Sequence, residues 1–257
     1  MPILHTARAP IAIKDYRVND SPHTPTLLIH GAGGIYLDWS NEIRRMPETN
    51  AIALDLPGHG LSKGNGRNTI EDYGLDVLAL LDSLGLESAN IGGFSMGGAI
   101  AQWLALYFPQ RVQRLILVGT AVKMPVNPLF IQGIVQTPQD TAQKIVRSMW
   151  TRSAPTSILK IGTERLLQIP THVTQGDFMA CDAFDVQTII DNIQAPTLVI
   201  VGTQDRMTPL SDNQFLANRI PGAVFVAIEG GGHMVMLEQA HIVGEHIRAW
   251  LAPSNEK

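Results

Sequence analysis

Short apolar runs recur along the chain at strand length: Thr26-Leu27-Leu28-Ile29, Asn50 to Leu56, Asn90 to Gly93, Arg114 to Val118, Thr197 to Val201 and Ala223 to Ile228. A continuous apolar run bounded by turn residues is what a strand buried on both faces presents. Ile11-Ala12-Ile13 and Asp15 to Val18 predict an N-terminal hairpin ahead of them. Between the runs the period changes to a helical one. Ile70, Tyr73, Val77, Leu80, Leu81 and Leu84 share one face of a helix that Thr69 opens, with Asp72 as its capping-box partner, and Gly85 stops. Ser211-Asp212-Asn213-Gln214 predicts a second capped start with Pro221 just past its helix, and Val243, Ile247, Trp250 and Leu251 stripe the last one. Strand and helix patterns in alternation predict an α/β fold with a mostly parallel sheet covered on both faces.

The alternation breaks between Ala121 and Gln194, where helical patterns at Asp140 to Trp150 and Ser157 to Leu167 replace strand signals. Helices inserted between two strands of one sheet predict a lid over the strand ends. The expected organisation is a core domain made of residues 1–120 and 195–257 with a helical cap over 121–194.

Composition narrows the function class. The chain has 257 residues, 45% of them hydrophobic, which suffices for a sizeable core. A net charge of -4 with scattered basic residues argues against nucleic acid and against an anionic membrane surface as partners. Cys181 is the only cysteine and is expected to be a small buried hydrophobe. The N-terminus lacks the pattern of a signal peptide and no apolar run reaches membrane-spanning length, so a soluble cytoplasmic protein is expected.

Chemistry concentrates at Gly93-Phe94-Ser95-Met96-Gly97. A serine at the tip of a sharp strand-to-helix turn needs neighbours without bulk two positions before and after, which Gly93 and Gly97 supply. An acyl-transfer serine also needs a base, an acid to hold that base's tautomer, and N–H donors for the oxyanion. The expected base is His233, in the glycine-rich turn Glu229-Gly230-Gly231-Gly232-His233. The expected acid is Asp205, where the strand from Thr197 runs into a loop; Asp182, Asp185 and Asp212 are rivals. Met96 is expected to supply one oxyanion N–H and Ala32, in His30-Gly31-Ala32-Gly33-Gly34, the other, with Gly33 as the fallback. His30 and His59 read as backbone-supporting residues of tight turns. No phosphate loop, dinucleotide fingerprint or metal-ligand spacing is present, so neither metal nor cofactor is expected.

These stretches, together with Asp55-Leu56-Pro57-Gly58-His59-Gly60-Leu61-Ser62, resemble the α/β-hydrolase superfamily over nearly the whole sequence outside the lid. The resemblance implies an eight-stranded, mostly parallel sheet with a helical cap, a Ser95-His233-Asp205 triad and no cofactor. Epoxide hydrolases and haloalkane dehalogenases carry Asp at the elbow, so Ser95 favours acyl chemistry. Carbon-carbon hydrolases typically carry Trp after the catalytic His, where Met234 stands. Met96, Met234, Met236, Met124, Leu129, Phe130, Ile134 and Met149 suggest an apolar acyl site, with Met124, Phe130, Met149 and Met234 expected to touch substrate. The expectation is a carboxylesterase for short to medium acyl chains. Enol-lactonases are the nearest alternative, with Trp150 and Arg152 as candidates for a lactone carboxylate. A non-enzymatic small-molecule receptor is the remaining one.

Overall fold

A computed structural model of the chain describes residues 1–252. Its strands are β1 (Ile3–His5), β2 (Pro10–Asp15), β3 (Thr26–Ile29), β4 (Ala51–Asp55), β5 (Ala89–Phe94), β6 (Val112–Val118), β7 (Thr197–Gly202) and β8 (Val224–Ile228). Its helices are α1 (Asn41–Arg45), α2 (Ile70–Ser83), α3 (Met96–Tyr107), α4 (Pro128–Gln136), α5 (Pro138–Met149), α6 (Thr156–Gln168), α7 (Thr171–Ala183), α8 (Leu210–Arg219), α9 (Val235–Glu238) and α10 (Ala240–Leu251). All eight strands join one sheet in the order β1-β2-β4-β3-β5-β6-β7-β8. From β3 to β8 the pairing is parallel, while β2 meets both β1 and β4 antiparallel.

The apolar runs are continuous because alternate residues feed two separate cores. Leu27, Ile29, Ile52, Leu54, Leu115, Leu117 and Val199 face the layer of α2, α3 and α8. Leu28, Ala51, Ala53, Ile116, Val118, Leu198 and Ile200 face α1, α9 and α10. Each fully buried Leu or Ile is worth about 1.5–3 kcal/mol relative to exposure, so neither face tolerates a shift of register.

The N-terminal hairpin forms one strand earlier than the sequence predicts. Ile11-Ala12-Ile13 is its second strand, paired back onto Ile3–His5, and Tyr16 to Val18 continue as coil. Asp15, the last residue of β2, pairs with Ile52. At α2 the Thr69 hydroxyl accepts from the Asp72 N–H, as predicted. Gly85, at φ +67°, closes that helix with its own N–H on Asp82 O and the Leu86 N–H on Leu81 O. The cap predicted at Ser211 does not form. α8 starts at Leu210 directly after Pro209, which leaves Ser211 inside the first turn with its hydroxyl on Asp212.

Four helices, α4 to α7, lie between β6 and β7 in sequence, and they carry an apolar cluster of their own: Ile134, Ala142, Ile145, Val146, Leu166 and Phe178. A bridge between Lys123 and Asp185, with their side chains paired at 3.0 Å, closes the neck of this excursion. Ala180 and Cys181, from the last turns of α7, bury into the main core. Among the described residues no helix is long and apolar enough to cross a membrane.

Candidate active site

Ser95 follows the last residue of β5 and precedes α3, with φ 52° and ψ −117°. This is a conformation that costs a non-glycine residue about 1–3 kcal/mol, and the surroundings impose it. The Ser95 N–H donates to Val118 O at 2.9 Å, and its carbonyl accepts from Gly98 and Ala99 as the helix begins. A Cβ on Gly97 would lie 2.4 Å from Ile29 O, and one on Gly93 2.1 Å from Gly97 O. Both elbow glycines are therefore demanded by the close approach of backbone to backbone.

His233 and Asp205 come together beside the elbow. His233 Nδ1 and Asp205 Oδ2 are 2.7 Å apart, with side chains 2% and 1% exposed. Asp205 Oδ1 accepts from the Met207 and Thr208 N–H groups, and Oδ2 also accepts from the Thr208 hydroxyl at 2.9 Å. Burial would raise this carboxyl, but the charge and hydrogen bond of His233 and the two backbone donors outweigh it and hold it below its ordinary value. The Phe94 ring lies 4.9 Å from the imidazole. Ser95 and His233 line one pocket, and among the described residues no hydrogen bond joins their side chains. Asp182 and Asp185 lie elsewhere, on the Val126 N–H and on Lys123, and Asp212 meets Ser211.

The end of α5 braces these loops. Glu238 accepts from Gly232 N–H at 2.5 Å and Thr151 N–H at 2.8 Å, Met234 N–H donates to Met149 O, and Arg206 donates to the carbonyls of Arg147 and Trp150. The histidine is thereby gripped from the helical excursion as well as from the sheet.

The loop after β3 turns at Gly31–Gly34, where the Gly34 N–H reaches Gly31 O at 3.1 Å. Gly33 has φ +62°, the left-handed third position of a type II turn. Its N–H is taken by Asp177 Oδ2 at 2.8 Å, which removes Gly33 as an oxyanion donor. The Ala32 N–H has no protein acceptor among the described residues, and neither has that of Met96, the first residue of α3. His30 supports this loop as expected: its Nε2 accepts from Leu56 N–H at 3.0 Å and its Nδ1–H donates to Gly31 O at 2.8 Å.

Two cavities meet here. The smaller, about 210 Å³, holds Ser95 and His233 with Met124, Phe130, Ile145, Met149 and Phe178. The larger, about 580 Å³, shares Ala32 and Met149 with it and adds Ile35, Trp150, Ile158, Leu166 and Met234. Met124, Phe130 and Met149 thus stand in the serine's own pocket, while Met234 lines the neighbouring chamber. Met236 and Ile134 are buried core, and Leu129 is 72% exposed. Arg152 is exposed and lines neither cavity; the arginines that do are Arg206 in the smaller and Arg165 in the larger. Nothing in the local sequence around those two arginines marks them, because their placement depends on how the helices fold back. Across from Arg165, enclosure pushes the half-buried Asp38 carboxyl up to about 7 despite the pull of Arg165 and the Ile35 N–H. Cys181 lines the serine pocket, with its thiol pushed up by burial and by Asp177 and Asp182, which keeps it protonated and inert.

Comparison with known proteins agrees with this architecture. The chain is 32% identical over 243 residues to the dihydrolipoyllysine-residue acetyltransferase component of the acetoin cleaving system of Pseudomonas putida, of whose length it spans 63%. It is 29% identical to 3-oxoadipate enol-lactonase 2 of Acinetobacter baylyi, over 97% of this chain and 98% of that one. The enol-lactonase of Burkholderia xenovorans LB400 superposes with a TM-score of 0.90 at 22% identity, covering 98% of this chain and all of the other. A family profile described as alpha/beta hydrolase fold matches residues 24–240, and with the sheet order and the elbow this places the chain in the α/β-hydrolase family.

Proposed function

We propose that this α/β-hydrolase cleaves carboxylic esters of short to medium acyl chains through a Ser95-His233-Asp205 triad. The observation that carries the reading is the strained serine at the elbow, in one small apolar pocket with a histidine whose far nitrogen is bound to a buried carboxylate. Ser95 Oγ attacks the ester carbonyl as His233 Nε2 takes its proton. The Ala32 and Met96 N–H groups hold the oxyanion. The alcohol leaves with the proton from His233, and a water deprotonated by the same nitrogen releases the acid from the acyl-enzyme. Met124, Phe130 and Met149 contact the acyl chain, and Met234 the alcohol side. Residues 121–194 serve as the lid.

Enol-lactone hydrolysis is the second reading. A lactone is a cyclic ester and needs the same machinery; Arg206 and Arg165 lining the two cavities favour a substrate that carries a carboxylate. In both readings the partner is a small molecule, and the proposed compartment is the cytoplasm. Steady-state hydrolysis of p-nitrophenyl esters from acetate to laurate, with an enol-lactone in parallel, tests the assignment. Turnover peaking at short or medium chains supports the esterase, faster lactone opening moves the protein to the second reading, and no turnover of either rejects both.

A further inference from the structure

The buried carboxylate of Asp177 is not needed by the chemistry above, yet it is among the most highly coordinated groups in the molecule. It sits on α7, fully buried, and takes three donors from distant parts of the chain. Oδ2 lies 2.8 Å from Gly33 N and 2.8 Å from His59 Nε2, and Oδ1 accepts the Tyr73 hydroxyl at 2.5 Å. The Tyr73 oxygen itself accepts from Arg67 N–H, so its proton points to Asp177. His59 Nδ1 faces Pro57 O at 3.1 Å. Both ring nitrogens of His59 therefore face oxygens that only accept, and the state with every donor matched is an imidazolium beside a carboxylate. His30, 4.8 Å away, is in the opposite state, since its Nε2 accepts from Leu56 N–H.

The geometry of the Gly31–Gly34 turn gives this ion pair a task. The Ala32 N–H belongs to the peptide before the one Asp177 holds, so what the carboxylate fixes is the position and turn type of the loop that carries it. Without this anchor the Ala32–Gly33 peptide is free to flip, changing ψ of Ala32 and φ of Gly33, and the turn to shift as a unit. Glycine itself offers little resistance to such a flip. Asp177 opposes it, because the flipped peptide would present the Ala32 carbonyl to a carboxylate. Packing acts in the same place: a Cβ on Gly33 would lie 2.4 Å from Leu166 Cδ1 of α6 and 3.2 Å from Thr174 Cγ2 of α7.

We propose that Asp177 is a positioning residue for the oxyanion hole: from the helical excursion, its carboxylate fixes the Gly33 N–H and so keeps the Ala32 N–H aimed at the reacting carbonyl. The proposal rests on the ester- or lactone-cleaving reading, in which Ala32 is an oxyanion donor. His59 and Tyr73 supply the donors that keep the buried charge in place.

The test is a comparison of wild type with Asp177→Asn in p-nitrophenyl ester hydrolysis, with active sites counted by fluorophosphonate titration. An alkyl boronic acid, whose serine adduct carries the tetrahedral oxyanion, serves as inhibitor. The expected result is a loss of kcat per titrated site of about 10- to 100-fold, KM changed less than about threefold, and boronate affinity reduced in step with kcat. Normal kcat and boronate affinity per titrated site would overturn the proposal, because a role in stability alone lowers only the number of active sites. Should Asp177→Asn not fold, Tyr73→Phe, which removes one donor and leaves the Gly33 contact, is expected to show the same joint loss at about two- to tenfold. Wild-type behaviour per site in Tyr73→Phe would then overturn it. Absence of ester and lactone turnover in the wild type rejects the functional reading itself, and the proposal with it.

Discussion

Asp205 holds His233 from behind over 2.7 Å, and every acceptor position of its carboxylate that the fold addresses is filled by a loop donor or by the ring. Asp205→Asn keeps the shape but sets an amide N–H against His233 Nδ1, which forces the proton onto Nε2, where the base must be empty. Turnover is expected to fall by about ten-thousand-fold with little change in thermal unfolding. Comparison of kcat/KM and melting curves checks this, and a near-normal rate would point to another carboxylate.

Replacing Ser95 separates chemistry from strain. Ser95→Ala and Ser95→Gly are both expected to abolish ester hydrolysis. Ser95→Gly is also expected to unfold at higher denaturant than Ser95→Ala, by about 1 kcal/mol, because glycine accepts a φ of 52° without the Cβ penalty. Equal stabilities would mean that the elbow is not strained.

The two neighbouring histidines predict how stability depends on pH. Burial lowers His30, and the charge of His59 adds to it, so His30 stays neutral in the fold; its penalty grows as pH falls below 6.5 and the unfolded chain gains a proton. Burial would lower His59 too, but Asp177, Pro57 O and Asp55 raise it above 6.5. Its stabilisation is present below 6.5 and is lost as pH rises through the raised value. The charged or titratable groups facing it are Asp177 of α7, Tyr73 of α2, His30 after β3, Asp55 at the end of β4, and Asp38 ahead of α1. The summed contribution of the two histidines should therefore be greatest near pH 6.5 and decline on each side by up to about 1.4 kcal/mol per pH unit per group, while Asp38, raised to about 7, opposes the acid-side decline because its own contribution grows as pH falls from about 7. Relative to wild type, His59→Gln should flatten the profile above pH 6.5, as denaturant titrations of the two proteins across pH will read.

How much of this was legible in the sequence follows from how local each signal is. The elbow, the His233 turn and the strand to Asp205 are contiguous motifs, and the structure brings all three to one end of the sheet. Ala32 and Gly33 could not be told apart along the chain, because what separates them is Asp177, 144 residues beyond Gly33 and on another helix. Thr208 carries no sequence signal for a different reason: a threonine three residues after an aspartate looks like any loop residue, and only the fold puts its hydroxyl on Asp205 Oδ2. α7 gives no clear helical signal in the sequence, because Gly176 interrupts it and it lacks a one-sided apolar stripe, since it packs against both the main core and the turn at Gly33. The hairpin's first strand is not legible in the sequence, because a three-residue edge strand such as β1 carries almost no periodic signal.

Acyl specificity should respond to the pocket wall. Phe130 lines the 210 Å³ cavity and is only half-buried, so Phe130→Ala enlarges the cavity without opening the main core. The preferred p-nitrophenyl ester is expected to lengthen by about two to four carbons, each added methylene recovering up to about 0.8 kcal/mol of binding. An unchanged chain-length profile would place the acyl group in the larger chamber.

The central claim, that Ser95 is the nucleophile of a hydrolase, is tested most directly by intact-mass spectrometry after treatment with a fluorophosphonate. The wild type is expected to gain one phosphonyl group per chain, mapped to Ser95, with loss of ester turnover in proportion, while Ser95→Ala gains none. A folded wild type that stays unmodified, or one labelled equally in Ser95→Ala, would contradict it.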